Sequence, residues 1–410
     1  MVVERGALGL NAQAPALERP GIVVAGSLPY LDFDRWRALF GASEGSAMPV
    51  NALDLRLGAL DFAGRRVNEL NLQATRSAGL WNANVSAREL AGDITWRPEG
   101  QGRIVARLRH LTIPDPAPEA AKDDAQSPAQ AQPQSRELPA LDISADTFVA
   151  GTTKFGRLEL VAINQARDWR IERLVLSAPE GTLSADGYWQ SWAARPSTSM
   201  NVKLDVTDAG KYLERLGYPG AVRGGIAHME GKLGWAGSPL SIDYPSLTGN
   251  VFLKVGKGRF LKADYGAAKL LGILSLQSLL TFDLRDLFSK GFAFDTISSS
   301  AQVAKGVLST RDFDMRGASA RVGITGDIDL ARETQKLRLH VVPALGDSAA
   351  TAAGLLLNIN PVTALGALIA QRILKDPLGR IFSFEYSVTG TWSEPRVERA
   401  QGGPRDSAAQ

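Results

Sequence analysis

Ser43, in the run Gly41-Ala42-Ser43-Glu44-Gly45, matches letter for letter the G-x-S-x-G spacing that presents a hydrolase nucleophile. That chemistry needs a strand before the serine and a helix after it. Here an expected helix ends near Phe40 and the chain runs on into Met48-Pro49, so Ser43 reads as a loop residue. His110, His228 and His340 are the only histidines, and none has a second His or a carboxylate at the spacing that puts two metal ligands on one helix face. They read as strand or solvated residues, His340 on the polar side of the Leu337, Leu339, Val341 alternation. The pairs Asp32/Asp34, Asp312/Asp314 and Asp327/Asp329 suit strand faces or helix caps, and no loop around them has a calcium-binding pattern. Gly224-Gly225 and the Gly256/Gly258 pair form no phosphate cradle and read as turns. With no convergent nucleophile, base and oxyanion donors, the expectation is a protein that is not an enzyme, with no catalytic residue, metal or cofactor.

What the sequence does contain is strands with one apolar side. Gly21 to Gly26 reads as a strand, after which Asp32 caps a helix with Phe33, Trp36, Leu39 and Phe40 on one face. Leu53 to Leu57, Val67 to Leu72, Trp81 to Ala87, Gly92 to Pro98 and Arg103 to Leu108 follow without crossover helices, so residues 1–113 are expected to form an antiparallel meander. Residues 114–140 are rich in Pro, Ala and Gln without apolar periodicity and read as a flexible linker. Strands resume over 141–343. Met200, Val202, Leu204 and Val206 alternate with Asn201, Lys203 and Asp205, and Val322, Ile324, Ile328 and Leu330 oppose Arg321, Thr325, Asp327 and Asp329. Two helices interrupt them: a short one capped by Asp208 and carrying Tyr212, Leu213 and Leu216, and an amphipathic one over Tyr265 to Leu280.

Residues 344–400 combine apolar helical segments with a closing strand near Tyr386 to Pro395, and 401–410 read as a disordered tail. No charge occurs between Ala349 and Ala370, but Asn358, Asn360 and Pro361 divide that run in two. Three readings stand: a buried or groove-capping helix pair, a membrane-surface or re-entrant contact, and a true span.

Composition narrows the classes. The chain has 410 residues, 44% hydrophobic and 22% charged, as expected of a folded protein. Its 46 Lys plus Arg against 43 Asp plus Glu, a net charge of +3, offer no concentrated positive surface, so nucleic acid is not an expected partner. The absence of cysteine excludes disulfides and thiol chemistry without choosing a compartment. Met1 to Gly6 lacks the basic start and apolar core of a signal peptide.

Several pieces recur in a recognisable order: Gly258-Arg259-Phe260-Leu261, the run Ala268 to Ser275, Phe288-x-x-Gly291-x-x-Phe294-Asp295-x-Ile297, Gly306-Val307-Leu308, Gly326 to Leu330, and the final Tyr386 to Pro395 strand. Upstream, Gly26-x-x-x-Tyr30-Leu31-Asp32-Phe33-Asp34-x-Trp36 and Gly79-Leu80-Trp81-x-Ala83-x-Val85 belong to the same pattern. The chain thereby resembles the C-terminal region of the AsmA-like envelope proteins, in particular their YhdP branch. The resemblance implies a mainly β fold: a long, curved antiparallel sheet forming an apolar groove for phospholipid acyl chains, with a few short amphipathic helices near its C-terminal end. It also implies a non-enzymatic lipid conduit between inner and outer membrane, in the periplasm. Other envelope proteins are implied as possible partners, and an upstream segment absent from this chain would be the inner-membrane anchor. A complete cytoplasmic protein is the alternative on location, and a rigid scaffold or outer-membrane assembly factor the alternative on function.

On that reading Val202, Leu204, Val206, Val322, Ile324, Ile328 and Leu330 face the lipid, while Leu355, Leu356, Leu365, Leu368 and Ile369 meet a membrane or close the groove end. An open groove wall predicts that Ile324→Asp folds with modest loss.

Overall fold

The computed structural model describes residues 5–14, 21–33, 35, 50–62, 65–114, 138–165, 168–191, 195–239, 241–261, 292–343 and 383–399. Ser43, the expected linker core, the Tyr265 to Leu280 helix, the apolar segments with Leu355, Leu356, Leu365, Leu368 and Ile369, and the tail lie outside the described residues. Within them the chain is nearly all strand, as the mainly β expectation had it. Two compact units divide it: Met1–Thr198 with Gly237–Pro239, and Ser199–Ala236 with Leu240–Gln410.

The first unit carries β1 (Arg5–Leu10), β2 (Gly21–Asp32), β3 (Val50–Phe62), β4 (Arg65–Ser77), β5 (Leu80–Ser86) and β6 (Leu90–Arg97). It continues through β7 (Arg103–Ile113), β8 (Ala140–Ala150), β9 (Thr153–Gln165), β10 (Asp168–Ala178) and β11 (Gly181–Gln190). Each pairs with the next in sequence, and short turns such as Ala78-Gly79 make most of these pairings antiparallel. Three junctions are parallel: β1 with β2, β2 with β3, and β7 with β8. A parallel neighbour requires the chain to travel back before pairing, which long stretches between these strands allow. At the end of β2 the backbone N–H of Arg35 donates to Asp32 Oδ1 at 2.9 Å, the cap expected from the sequence. Gly92 holds φ +149° where the β6–β7 register shifts, and a Cβ there would lie 2.2 Å from the Arg107 carbonyl. Only glycine fits that close approach.

The second unit begins within β12 (Ser197–Val206), then carries α1 (Ala209–Arg215), β13 (Val222–Gly224), β14 (Ala227–Ala236), β15 (Thr248–Val255) and β16 (Gly258–Phe260). After it come β17 (Phe292–Phe294), β18 (Thr296–Ala304), β19 (Val307–Arg316), β20 (Ala320–Asp329), β21 (Thr334–Pro343), β22 (Phe384–Thr391) and β23 (Pro395–Arg399). An antiparallel run pairs β14, β15, β18, β19, β20, β21, β22 and β23 in that order. The short strands β13, β16 and β17 form a separate three-stranded sheet. Asp208 caps α1 as expected, its Oδ1 accepting from the Lys211 backbone N–H at 3.1 Å.

Here the two units differ. In the second, Phe260, Phe292 and Phe294 of the small sheet, with Ala221 before β13, pack into one buried cluster with Phe313, Met315, Val322, Leu339, Val341 and Val388 of the main run. The Phe260 and Phe294 rings lie 5.0 Å apart. Leu213 of α1 packs against the same cluster, so this face is closed by a second layer. In the first unit, the strands pack chiefly against their hydrogen-bonded neighbours, and no second layer lies over them among the described residues.

Candidate functional site

Cross-strand partners in a sheet point to the same side, so the registers show which residues share a face. Across the first unit one row runs Leu8, Val24, Leu53, Ala74, Ala83 and Ile94, then Ala106, Ile143, Leu160, Leu174 and Ala185. The adjacent row on the same face runs Leu10, Gly26, Leu55, Leu72, Val85 and Gly92, then Leu108, Ala145, Leu158, Leu176 and Leu183. Neither row contains a polar side chain. At about 4.8 Å per strand-to-strand step, ten steps give a continuous apolar track of roughly 48 Å. Small and large residues are mixed within it; most of the leucines and isoleucines are half-buried, while Leu108, Leu158 and Leu176 are buried among their neighbours.

The reverse face is polar. Asp54, Gln73, Asn84, Asp93 and Arg107 stand opposite one another on successive strands. Asn84 Nδ2 donates to Asp93 Oδ1 at 2.8 Å, and the Arg107 guanidinium meets Asp142 Oδ1 at 2.8 Å. The hydrogen bond from Arg107 holds the Asp142 carboxyl below its ordinary range. One side of the sheet therefore keeps water and ions, and the other offers an apolar surface.

The expected lipid-facing residues fall into two environments. Val202 and Leu204 are half-buried and Val206 is buried, all on one side of β12. Val322, Ile324 and Ile328 are only 0%, 3% and 7% exposed and belong to the closed cluster, with Leu330 packed against it. Thr325 and Asp327 are exposed, and Asp327 Oδ1 accepts from the Ser309 hydroxyl at 2.6 Å, so the alternation places each residue on its expected side. The closure argues for a larger cost of a charge at Ile324 than an open wall would give, because its strand neighbours Phe313 and Leu339 are themselves buried.

The chemistry-bearing residues stay dispersed, with one grouping invisible in the sequence. His228 Nδ1 lies 2.6 Å from Asp205 Oδ1, and its Nε2 lies 3.5 Å from Glu230, on the exposed side of β12 and β14. The bond to His228, and after it that to Lys203, holds the Asp205 carboxyl below its usual value. No group of three metal-ligating residues occurs among the described residues. His340 is exposed, with Glu385 3.9 Å away.

Reading strands by period alone also misses the polar atoms buried without partners. Among the described residues these are the Nε1 of Trp189, the Nε1 of Trp392, and both the Nε2 and Oε1 of Gln335. Gln335 is the more telling because it continues the buried side of Leu337, Leu339 and Val341. A polar residue in an apolar register was the available signal.

The family model described as YhdP protein matches residues 1–397. The intermembrane phospholipid transporter YhdP of Escherichia coli (strain K12) is 24% identical over 408 residues, covering 97% of this chain and 32% of that protein. The chain thus spans about a third of the length of that relative. No solved structure matches.

Proposed function

The chain belongs to the YhdP family, and from that premise we propose that it is a non-enzymatic section of a lipid conduit, carrying phospholipid acyl chains along the apolar face of its first unit. The observation that supports this is the pair of uninterrupted apolar rows on a face with no second layer among the described residues, backed by a polar face. Each methylene kept from water is worth about 0.8 kcal/mol, so a tail lying along the rows avoids most of the cost of leaving a bilayer. A single leaflet contributes about 15 Å of hydrocarbon, so a track of roughly 48 Å holds several tails end to end and a lipid moves along it without losing contact. Such movement needs no nucleophile or proton transfer. The E. coli relative bears the name of an intermembrane phospholipid transporter, which supports movement between inner and outer membrane in the periplasm. Among the described residues no helix is long and apolar enough to cross a membrane.

The test is a pair of photo-crosslinkers in β9. Position 160, in the apolar row, captures lipid; position 159, beside it on the reverse face, does not. Equal labelling at both, or none at either in a folded protein, overturns the proposal.

The closed cluster of the second unit favours a second reading for that part: a structural end piece or assembly factor. Lipid captured at position 160 but never in the second unit supports a division of roles between the two.

A further inference from the structure

The apolar face of the first unit carries a third row at the strand ends beside the β4–β5 turn. Two residues nearer those ends than Ile143, Ala106, Ile94, Ala83 and Ala74, it runs Leu141, Ile104, Trp96, Trp81 and Arg76, each the direct cross-strand partner of the next. The row is apolar from Leu141 to Trp81 and then ends on a cation. Arg76 is exposed, and among the described residues no ion pair or hydrogen bond holds its guanidinium. The Glu99 carboxylate overhangs the adjoining turn, where a Cβ on Gly79 would meet Oε1 at 2.5 Å, yet no ion pair joins it to Arg76.

Trp96 is 44% exposed and Trp81 half-buried, and neither indole N–H has a partner among the described residues. Farther along the same strand ends the pattern differs, since Trp169 is buried and its Nε1 donates to the Pro139 carbonyl at 3.1 Å. Exposed, unpartnered donors on this face thus gather at the corner of Arg76, Trp81 and Trp96.

A guanidinium fork matches phosphate oxygens two at a time, and its aliphatic stem lies along apolar surface without loss. Indole rings favour places with one side apolar and the other wet, the level at which lipid tails join a headgroup. A ligand that uses every part of the corner has tails for the rows and a phosphate where they end. Free phosphate would use Arg76 and leave both indoles without a role.

We propose that Arg76, with Trp81 and Trp96, is a headgroup site that binds the phosphate of a phospholipid whose tails lie on the apolar rows. The proposal rests on the conduit reading and adds to it a place where the lipid is held by its head.

The test uses the purified, delipidated chain and two probes delivered in the same detergent micelles. One is dioleoyl phosphatidylglycerol; the other is dioleoylglycerol, which has the same tails and no phosphate. Native mass spectrometry reads the lipid retained. The wild type retains the phospholipid about tenfold better, the effect of a charge-assisted hydrogen bond. Arg76→Gln lowers phospholipid retention about tenfold and leaves dioleoylglycerol unchanged, while Arg76→Lys keeps part of the preference. Arg56→Gln, exposed on the reverse face, changes neither. Equal retention of the two probes by the wild type overturns the proposal, as does an Arg76→Gln variant that keeps the preference or an Arg56→Gln variant that loses it equally. Calorimetry with inorganic phosphate separates the sources: saturable binding to the lipid-free chain that Arg76→Gln removes marks a free-anion site and overturns the lipid assignment. If the crosslinker at position 160 captures both probes while the preference is absent, the conduit stands and only the headgroup site fails. No lipid at position 160 and none retained removes both.

Discussion

The difference between a closed and an open apolar face is best tested by placing the same carboxylate in each. Ile324 is 3% exposed between Phe313 and Leu339, so Ile324→Asp forfeits about 2–3 kcal/mol of side-chain burial. It also strands a carboxyl among hydrocarbon. Even protonated, that group costs about 2–4 kcal/mol without a partner. The sum, about 5 kcal/mol or more, equals the whole stability of many domains. Leu174, in contrast, is half-buried on a face with no second layer among the described residues. Leu174→Asp loses about 1 kcal/mol of burial and keeps its charge in water. Circular dichroism during thermal and urea unfolding reads the stability of each variant, and native mass spectrometry reads retained lipid. The expected result is that Ile324→Asp unfolds the second unit, while Leu174→Asp melts within a few degrees of wild type and loses lipid. Equal collapse of both would mean that the first unit's face is ordinary core. A stable Ile324→Asp would mean that water reaches the cluster around Met315 and Val322.

Further outcomes follow from single features. Gly92→Ala forces a side chain into the Arg107 carbonyl at a backbone angle that favours glycine, and urea titration should show a loss of about 2 kcal/mol or more. Arg66 holds the Asp61 carboxyl below its ordinary value, and hydrogen bonds from Arg107 and Ser300 do the same for Asp142 and Asp312. Their contribution is fully present above the unfolded value of about 3.9 and is lost as pH falls through the lower folded values. Melting temperature should therefore stay level from neutral pH to about 5 and fall below about 4, and less steeply in Asp142→Asn. From sequence, Leu365→Glu or Ile369→Glu should lower lipid transfer or vesicle binding with the β-sheet signal unchanged; loss of that signal would make those segments core.

Strand parity was legible because it depends only on the period of two. Met200 to Val206 and Arg321 to Leu330 place their apolar and polar residues on the sides their spacing assigns. Coverage was not legible, because Ile324 and Leu160 present the same local pattern and differ only in what packs above them, which residues distant in sequence decide. Phe260, Phe292 and Phe294 supply that cover in the second unit, and in the first no second layer is described. The meeting of Asp205 with His228 was hidden for the same reason, since the two sit on separate strands. The parallel pairing of β7 with β8 was hidden too, because a long connection can return on either side. Gln335 is a different case. Its position before Leu337, Leu339 and Val341 was visible, but a strand end tolerates a polar residue, and only the structure shows that it is buried without a partner.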